Sequence, residues 1–375
     1  MNVIFTCGGT GGHINPAIAV ANILKERHPE AKILFIGAKG HMEEKLVPQA
    51  GFELVTLPGS GLSRSLSLAG IKKNINAVKC VLSAVSSCKK IIRDFGADVI
   101  VGTGGYASFP ALYAGSRLGV PTIVHESNAV PGVTTKLAAG VATKVLVCFE
   151  ESRQYYKKPE LVEVVGMPVR REFLTGNKQT AREELGIHDG KPVIVSAFGS
   201  QGAKVMNETM ADMMPLEQQD QFPFHHIHAT GSFGKEWMPQ RVKDNGVDYE
   251  NCPMLDIREY IYNMPTVMAA ADVVIGRAGS ATCNEIAAAG VPCVLIPSPN
   301  VTNNHQEKNA RVLEEAGGAV VVLEKDCNAA QMYGLINELL SDEKRRSDMA
   351  VALRSLVRAD SAERICDLAE ELANR

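Results

Sequence analysis

Aromatic side chains are scarce in this sequence: Phe, Trp and Tyr make up 5% of its 375 residues, with a single Trp. A chain that stacks successive bases on its rings needs more of them, which argues against a single-strand nucleic-acid binder. Charge of one sign is lacking too. Lys and Arg number 39 against 42 Asp and Glu, a formal net charge of −3, so no global field draws the chain to nucleic acid. No apolar run reaches the roughly 18 residues that a membrane-crossing helix needs. The opening Met1-Asn2-Val3-Ile4-Phe5-Thr6 enters a strand directly, with no charged and then apolar leader, so no secretory signal is expected. The nine cysteines form no C-x-x-C pair, which fits free thiols in a reducing cytoplasm and no zinc site. The run His225-His226-Ile227-His228 sits in an expected strand, where alternate side chains face opposite ways and three histidines cannot converge on one ion. No Asp-x-Asp metal motif occurs.

What is present is a globular composition, 45% hydrophobic and 22% charged, long enough for two α/β domains. Short apolar strands alternate with helical patterns almost throughout. Strand Val3–Phe5 leads to a helix over Pro16–Arg27, with Pro16 in its first turn, where its missing N–H costs nothing. Lys32–Ile36, Asp98–Val101 and Pro121–His125 are further strands, with helices near Met42–Gln49 and over Pro110–Leu118. Val165-Gly166-Met167-Pro168-Val169-Arg170-Arg171 reads as an interdomain linker. The alternation then restarts with strands at Pro192–Ser196, His225–Ala229, Asp272–Ile275 and Pro292–Ile296, and helices over Ala203–Met214 and Thr282–Ala289. A last helix spans Ser361–Ala373, with Ile365, Leu368, Ala369 and Leu372 at helical spacing. This order argues for βαβ units and parallel sheets.

Four turns carry the chemistry, each after an apolar strand: Cys7-Gly8-Gly9-Thr10-Gly11-Gly12-His13, Gly102-Thr103-Gly104-Gly105-Tyr106, Phe198-Gly199-Ser200-Gln201-Gly202-Ala203 and Arg277-Ala278-Gly279-Ser280-Ala281-Thr282. A strand that exits through such a turn into a helix offers unpaired N–H groups at the positive end of the helix dipole, a place for phosphates or polar sugar groups. The dinucleotide fingerprint does not fit, because Gly8-Gly9-Thr10-Gly11-Gly12 is out of register and Phe35-Ile36-Gly37-Ala38-Lys39 ends without an acid. Gly231-Ser232-Phe233-Gly234-Lys235 is followed by Glu236, so it is no P-loop.

His13 stands just before a helix start, either as a base near its ordinary pKa of about 6.5 or as a residue that orients substrate without moving protons. Ser280 and Thr282 can cap the helix that follows them, and its N-terminus can face a diphosphate. Glu285, near that helix's first turn, either accepts hydrogen bonds from a ribose diol or complements the dipole. Asn303-Asn304-His305-Gln306-Glu307-Lys308-Asn309 either meets sugar hydroxyls or caps the next helix. Ile71, Ile75, Val78, Leu82 and Val85 give Ile71–Arg93 an apolar stripe. Lys72, Lys73, Lys79, Lys89, Lys90 and Arg93 make it basic, and with Leu66 and Leu68 it reads as a surface helix or a membrane-touching edge.

Taken together and in order, these motifs resemble the MurG-type transferases of bacterial peptidoglycan synthesis. The resemblance rests on Gly8 through Pro16, Gly104-Gly105-Tyr106-Ala107-Ser108, His125-Glu126-Ser127-Asn128, Val165 through Arg170, Gly199 through Ala203 and Ser280 through Gly290. It covers nearly the whole chain; Phe198 stands where the family often has glycine.

The resemblance implies a B-type glycosyltransferase fold, an α/β architecture of two doubly wound Rossmann-like domains whose parallel sheets face across a cleft. Residues 1–168 would be the acceptor and membrane-side domain and 169–358 the UDP-GlcNAc domain, with 359–375 a helix crossing back to the first. The activity implied is a hexosyl transfer that inverts configuration: GlcNAc passes from UDP-N-acetylglucosamine to undecaprenyl-pyrophosphoryl-MurNAc-pentapeptide, lipid I, and gives the β-1,4 linkage of lipid II. That step belongs to cell-wall biogenesis and so to cell shape and division. No cofactor and no metal are implied. His13 would be the base or a positioner. Thr10, Gly11 and Gly12 would line the acceptor side. Asn128 and Gln306 would contact GlcNAc, Arg170 would lie near the nucleotide, and Ser200, Ser280, Ala281 and Thr282 would meet the diphosphate. Glu285 would hold the ribose and the Ile261 main chain the uracil. The implied place is peripheral, on the cytoplasmic face of the cell membrane against anionic lipids, with other cell-wall synthesis proteins as further partners. Two rival readings stand beside it: a UDP-GlcNAc 2-epimerase of the same architecture and a non-catalytic nucleotide-sugar binding subunit.

Overall fold

The structure is a computed structural model that describes residues 1–58, 68–301 and 304–374. Two compact units are present, Met1–Arg170 with Arg358–Arg375, and Arg171–Val357.

The first unit is built on seven parallel strands: β1 (Asn2–Thr6), β2 (Lys32–Ala38), β3 (Glu53–Leu57), β4 (Val99–Gly102), β5 (Thr122–Glu126), β6 (Lys144–Val147) and β7 (Val162–Val164), in the order β3-β2-β1-β4-β5-β6-β7. Its strands are near-continuous apolar runs because both faces are covered. Val3 and Phe5 point into a core shared with α1 (Gly11–Arg27) and α15 (Ser361–Ala373), while Ile4 points into the opposite core under α3 (Leu68–Phe95) and α4 (Ser108–Leu118). Ile365, Leu368, Ala369 and Leu372 of α15 are buried beside Ile14, Ile18 and Leu24 of α1. Between β2 and β3 lies the short helix α2 (Glu43–Gln49).

The second unit repeats the plan with six parallel strands. They are β8 (Val193–Ala197), β9 (His225–Ala229), β10 (Leu255–Arg258), β11 (Val273–Gly276), β12 (Cys293–Leu295) and β13 (Ala319–Val321), in the order β10-β9-β8-β11-β12-β13. A methionine-rich core of Met206, Met210, Met213 and Met214 on α8 (Lys204–Gln219) fills against Phe224 and Ile194. Unbranched thioethers adapt readily to the space between such neighbours. The remaining α-helices are α5 (Val133–Ala139) in the first unit and, in the second, α6 (Arg171–Thr175), α7 (Lys178–Glu184), α9 (Met238–Asp244), α10 (Met264–Ala270), α11 (Ser280–Ala289), α12 (His305–Glu315), α13 (Ala329–Ser341) and α14 (Glu343–Ser355), of which α11 and α12 bear on the site.

Three local expectations change. α1 starts at Gly11, not at Pro16, so Pro16 is inside the helix and His13 belongs to its first turn. The helix begins as soon as the glycine turn ends; the price is one missing main-chain bond, the one the Pro16 nitrogen would have given to Gly12. α11 starts at Ser280 with Gly279 as its N-cap, so neither Ser280 nor Thr282 is the cap. Glu285 is the sixth residue of that helix and lies in its second turn. The amphipathic stretch Ile71–Arg93 lies within α3, where Leu82 is 65% exposed and Lys90 is exposed. Leu66, Asn303 and the side chains of residues 68–79 lie outside the described set.

In each unit the chain order reverses once. In the first unit it does so at β1, which lies between β2 and β4; in the second at β8, which lies between β9 and β11. Open α/β sheets bind ligands outside the carboxyl ends of the strands at such a switch point. The four turns singled out in the sequence are the four exits there: after β1 and β4 in one unit, after β8 and β11 in the other.

Candidate active-site turns

In the first unit the turns after β1 and β4 meet at main-chain level. Gly105 has φ +80, and a Cβ there would overlap the Gly8 carbonyl oxygen. Glycine is therefore required at 105 both for conformation and for space. The Ser108 hydroxyl lies 3.0 Å from the Thr6 carbonyl oxygen and 2.5 Å from that of Gly104, and the Thr6 hydroxyl donates to the Ala107 carbonyl at 3.3 Å. The two turns are thus one polar unit.

His13 is held by this unit. Its Nδ1 lies 3.1 Å from the Thr103 carbonyl oxygen, and the Thr103 hydroxyl donates to the His13 carbonyl at 2.6 Å. A carbonyl only accepts, so Nδ1 carries the proton and Nε2 of the neutral ring keeps the lone pair. Thr10, in extended conformation, is the N-cap of α1, and the Gly11 and Gly12 N–H groups that follow have no carbonyl one turn back within the helix.

Asn128 is oriented by its own motif neighbour Glu126, to which the sequence assigns no role. Glu126, 3% exposed, accepts from Asn128 N and Nδ2, both at 2.9 Å, through Oε1, and from Gly132 N at 3.0 Å through Oε2. Beside it His125 is fully buried, with Nε2 2.9 Å from the Gly166 carbonyl oxygen. Burial is the main force holding its pKa below the ordinary value. Arg170 is the last residue of this unit's first segment.

In the second unit the turn after β8 is braced by the loop after β9. Gly202 has φ +79, and a Cβ there would overlap the Thr230 carbonyl oxygen. Ser232 N donates to Ser200 O at 3.2 Å, Phe233 N to Gln201 O at 3.0 Å, and Asn207 Nδ2 to Thr230 O at 2.7 Å. The run Gly231–Lys235, rejected as a P-loop from its sequence, is thus the partner that shapes the turn carrying Ser200.

The turn after β11 is locked just as firmly. Arg277 donates through Nη1 to the Ile296 carbonyl at 3.0 Å and pairs through Nη2 with Glu324, both side chains being largely buried. Asn309, fully buried, donates to the Ala278 carbonyl at 3.2 Å. Arg277 is therefore a structural cation, spent inside the fold. The first helical bond of α11 is Cys283 N to Gly279 O at 2.9 Å; the N–H groups of Ser280, Ala281 and Thr282 precede it and have no carbonyl one turn back within the helix. Thr282 and Glu285, three residues apart, share one half-buried face.

Ile261 buries its side chain to 3% exposure after β10, while its own N–H and C=O make no main-chain hydrogen bond among the described residues. Gln306 sits in the first turn of α12 and accepts from Ser298 N at 2.8 Å, so the amide run is mostly helix and one member braces a loop. In β9, His225 faces away and lies 3.0 Å from Asp189 Oδ1. His226 and His228 share the Ser196 hydroxyl at 2.7 and 2.6 Å, and His226 Nδ1 lies 2.9 Å from Glu217 Oε1. All four of these last residues are fully buried, and burial drives the His228 pKa well below its ordinary range.

Asn207 and Glu324 lie outside every motif quoted from the sequence, and Thr103, Glu126 and Asn309 lie inside quoted motifs that give them no role of their own. Each works by folding a turn back on a partner, between 2 and 90 residues away.

Comparison with known proteins completes the picture. Residues 3–147 match the N-terminal domain model of glycosyltransferase family 28, and residues 193–365 match the C-terminal domain model. A relative from Acetivibrio thermocellus is 39% identical over 372 residues, which is 99% of this chain and 98% of that one. It is named UDP-N-acetylglucosamine--N-acetylmuramyl-(pentapeptide) pyrophosphoryl-undecaprenol N-acetylglucosamine transferase. The crystal structure of Acinetobacter baumannii MurG is similar with a TM-score of 0.73 and 25% identity, covering 99% of both chains. A UDP-GlcNAc 2-epimerase from Neisseria meningitidis is similar with a TM-score of 0.65 at 14% identity, covering 99% of this chain and all of that one, a likeness of fold alone.

Proposed function

The chain belongs to glycosyltransferase family 28, and from that premise we propose that it transfers GlcNAc from UDP-GlcNAc to undecaprenyl-pyrophosphoryl-MurNAc-pentapeptide and so makes lipid II. The observation that carries this is a full-length relative, 39% identical, named for that reaction.

The roles of individual residues are our reading. The transfer forms a bond from the MurNAc 4-hydroxyl oxygen to C1 of GlcNAc, breaks the bond from C1 to UDP, and moves the hydroxyl proton to a base. In the first unit His13 suits that base, because the Thr103 carbonyl holds its proton on Nδ1 and leaves the Nε2 lone pair to accept. Thr10, Gly11, Gly12 and Asn128 are its neighbours in acceptor and sugar binding. In the second unit the departing diphosphate gains negative charge, and the N–H groups of Ser200, Ser280, Ala281 and Thr282 suit it as fixed dipoles that need no reorganisation. Glu285 takes the ribose, the Ile261 main chain takes the uracil, Gln306 meets GlcNAc, and Arg170 serves near the nucleotide.

No helix among the described residues is long and apolar enough to cross a membrane. The lipid acceptor nonetheless requires contact with a bilayer. We place that contact on the cytoplasmic face, through the basic and apolar side of α3 and anionic lipids, where other cell-wall synthesis proteins would also be met.

Transfer of labelled GlcNAc to a short-chain lipid I analogue tests the proposal: a lipid II analogue is expected. Formation of UDP-ManNAc from UDP-GlcNAc alone, with no transfer, would overturn it in favour of the epimerase. Tight UDP-GlcNAc binding with neither product would favour a binding subunit.

A further inference from the structure

Glu43, the first residue of α2, is a fully buried carboxylate with no part in the chemistry above. Its hydrogen bonds go to main-chain N–H groups of two separate segments. Both oxygens lie 3.3 Å from Gly9 N, and Oε1 lies 2.9 Å from Ala38 N at the end of β2. The surroundings are cut to admit it: a Cβ on Gly37 would come within 2.7 Å of Glu43 Cγ. Gly9 itself has φ +91, a backbone conformation that glycine adopts without the penalty a Cβ would bring. Burying a carboxylate is costly unless it is well hydrogen-bonded, and charge-assisted bonds to N–H groups meet that cost and fix their donors.

The turn after β1 therefore has two anchors. Thr103 grips it at His13, after the turn, and Glu43 grips it at Gly9, before Thr10. Everything assigned to the acceptor side, Thr10 through His13, lies between or on these anchors. The charge of Glu43 also reaches both turns: after burial, it is the next cause that pushes the Cys7 thiol and the Tyr106 phenol upward.

We propose that Glu43 is a positioning residue of the transferase: its carboxylate sets the Gly9 turn so that His13 Nε2 meets the acceptor hydroxyl in register. This rests on the transferase reading given above. Glutamine keeps the volume, but whichever way its amide turns its NH2 group faces the Gly9 N–H, because both carboxylate oxygens do. Aspartate is one methylene short of Gly9.

The test uses full-length protein and four readouts. In Glu43→Gln, kcat for GlcNAc transfer should fall roughly 10- to 100-fold, the scale for a small misplacement of a catalytic group. UDP affinity, by calorimetry, should stay unchanged and so report a folded second unit. Amide hydrogen exchange in a peptide covering residues 6–13 should speed up. In a His13→Ala background Glu43→Gln should add little further loss, because it acts through His13, whereas an unrelated structural defect would multiply with it. Wild-type turnover in Glu43→Gln, unchanged exchange at residues 6–13, or fully multiplicative losses would each overturn the proposal. Should wild-type protein itself transfer no GlcNAc, the functional reading falls, and the exchange measurement alone still decides whether Glu43 holds the turn.

Discussion

His13 takes its tautomer from a carbonyl 90 residues away. That a histidine follows the first glycine turn is plain in the sequence; which nitrogen bears the proton is not, because Thr103 reaches it only through the pairing of β1 with β4. The same holds for Glu126, whose role is invisible until its loop closes on Gly132. At this scale two outcomes are expected. His13→Ala should cut turnover by roughly 100-fold or more, with UDP affinity intact, as measured by transfer assay and calorimetry. Glu285→Ala should weaken UDP binding by about 1–3 kcal/mol, the cost of an unsatisfied polar contact, and unchanged affinity would remove its ribose role. Arg277 carries a warning for motif reading. A cation in a glycine turn invites a phosphate, yet this one is consumed by Glu324 and Ile296. Glu324→Ala should therefore destabilise the second unit by about 3–5 kcal/mol in urea titration, the cost of stranding a buried charge.

Elements were the legible layer. Strand β1 and helix α15 fall where the apolar runs and helical spacing put them, because a strand buried on both faces and a helix with one apolar stripe each leave a period in the sequence. The start of α1 is not legible, since glycines suppress helical expectation and Pro16 draws the boundary to itself. Strand β9 is legible as a strand, and the alternation of its side chains excludes a shared ion; the hydrogen bonds of His226 and His228 to Ser196 and Glu217 depend on the β8–β9 register and on α8. That cluster predicts a pH effect. The buried His228, and His125 in the other unit, have folded pKa values below the unfolded one. The unfolded chain then binds more protons below about pH 6.5, so stability is complete above that pH and is lost as pH falls through it. Urea midpoints should drop between pH 7.5 and 5.5, and His228→Asn should flatten the drop. A helix-scale check is Leu368→Ala on α15, 1% exposed, which should cost about 2–5 kcal/mol in the first unit.

At the scale of the molecule the lesson is one of placement. Four glycine-containing turns are readable in the sequence, two in each half, but not the adjacency within each pair, because strand order is not written in local pattern. The sheets put them, two and two, at the exits where each chain order reverses. The unit formed by Arg171–Val357 offers the N–H groups of Ser200, Ser280, Ala281 and Thr282 from two such exits, and the central claim is that a uridine diphosphate sugar sits there. Solving the structure with UDP-GlcNAc bound tests this most directly. The account predicts diphosphate oxygens within hydrogen-bond distance of those N–H groups and the ribose against Glu285. A nucleotide bound elsewhere, with both exits unoccupied, would contradict it.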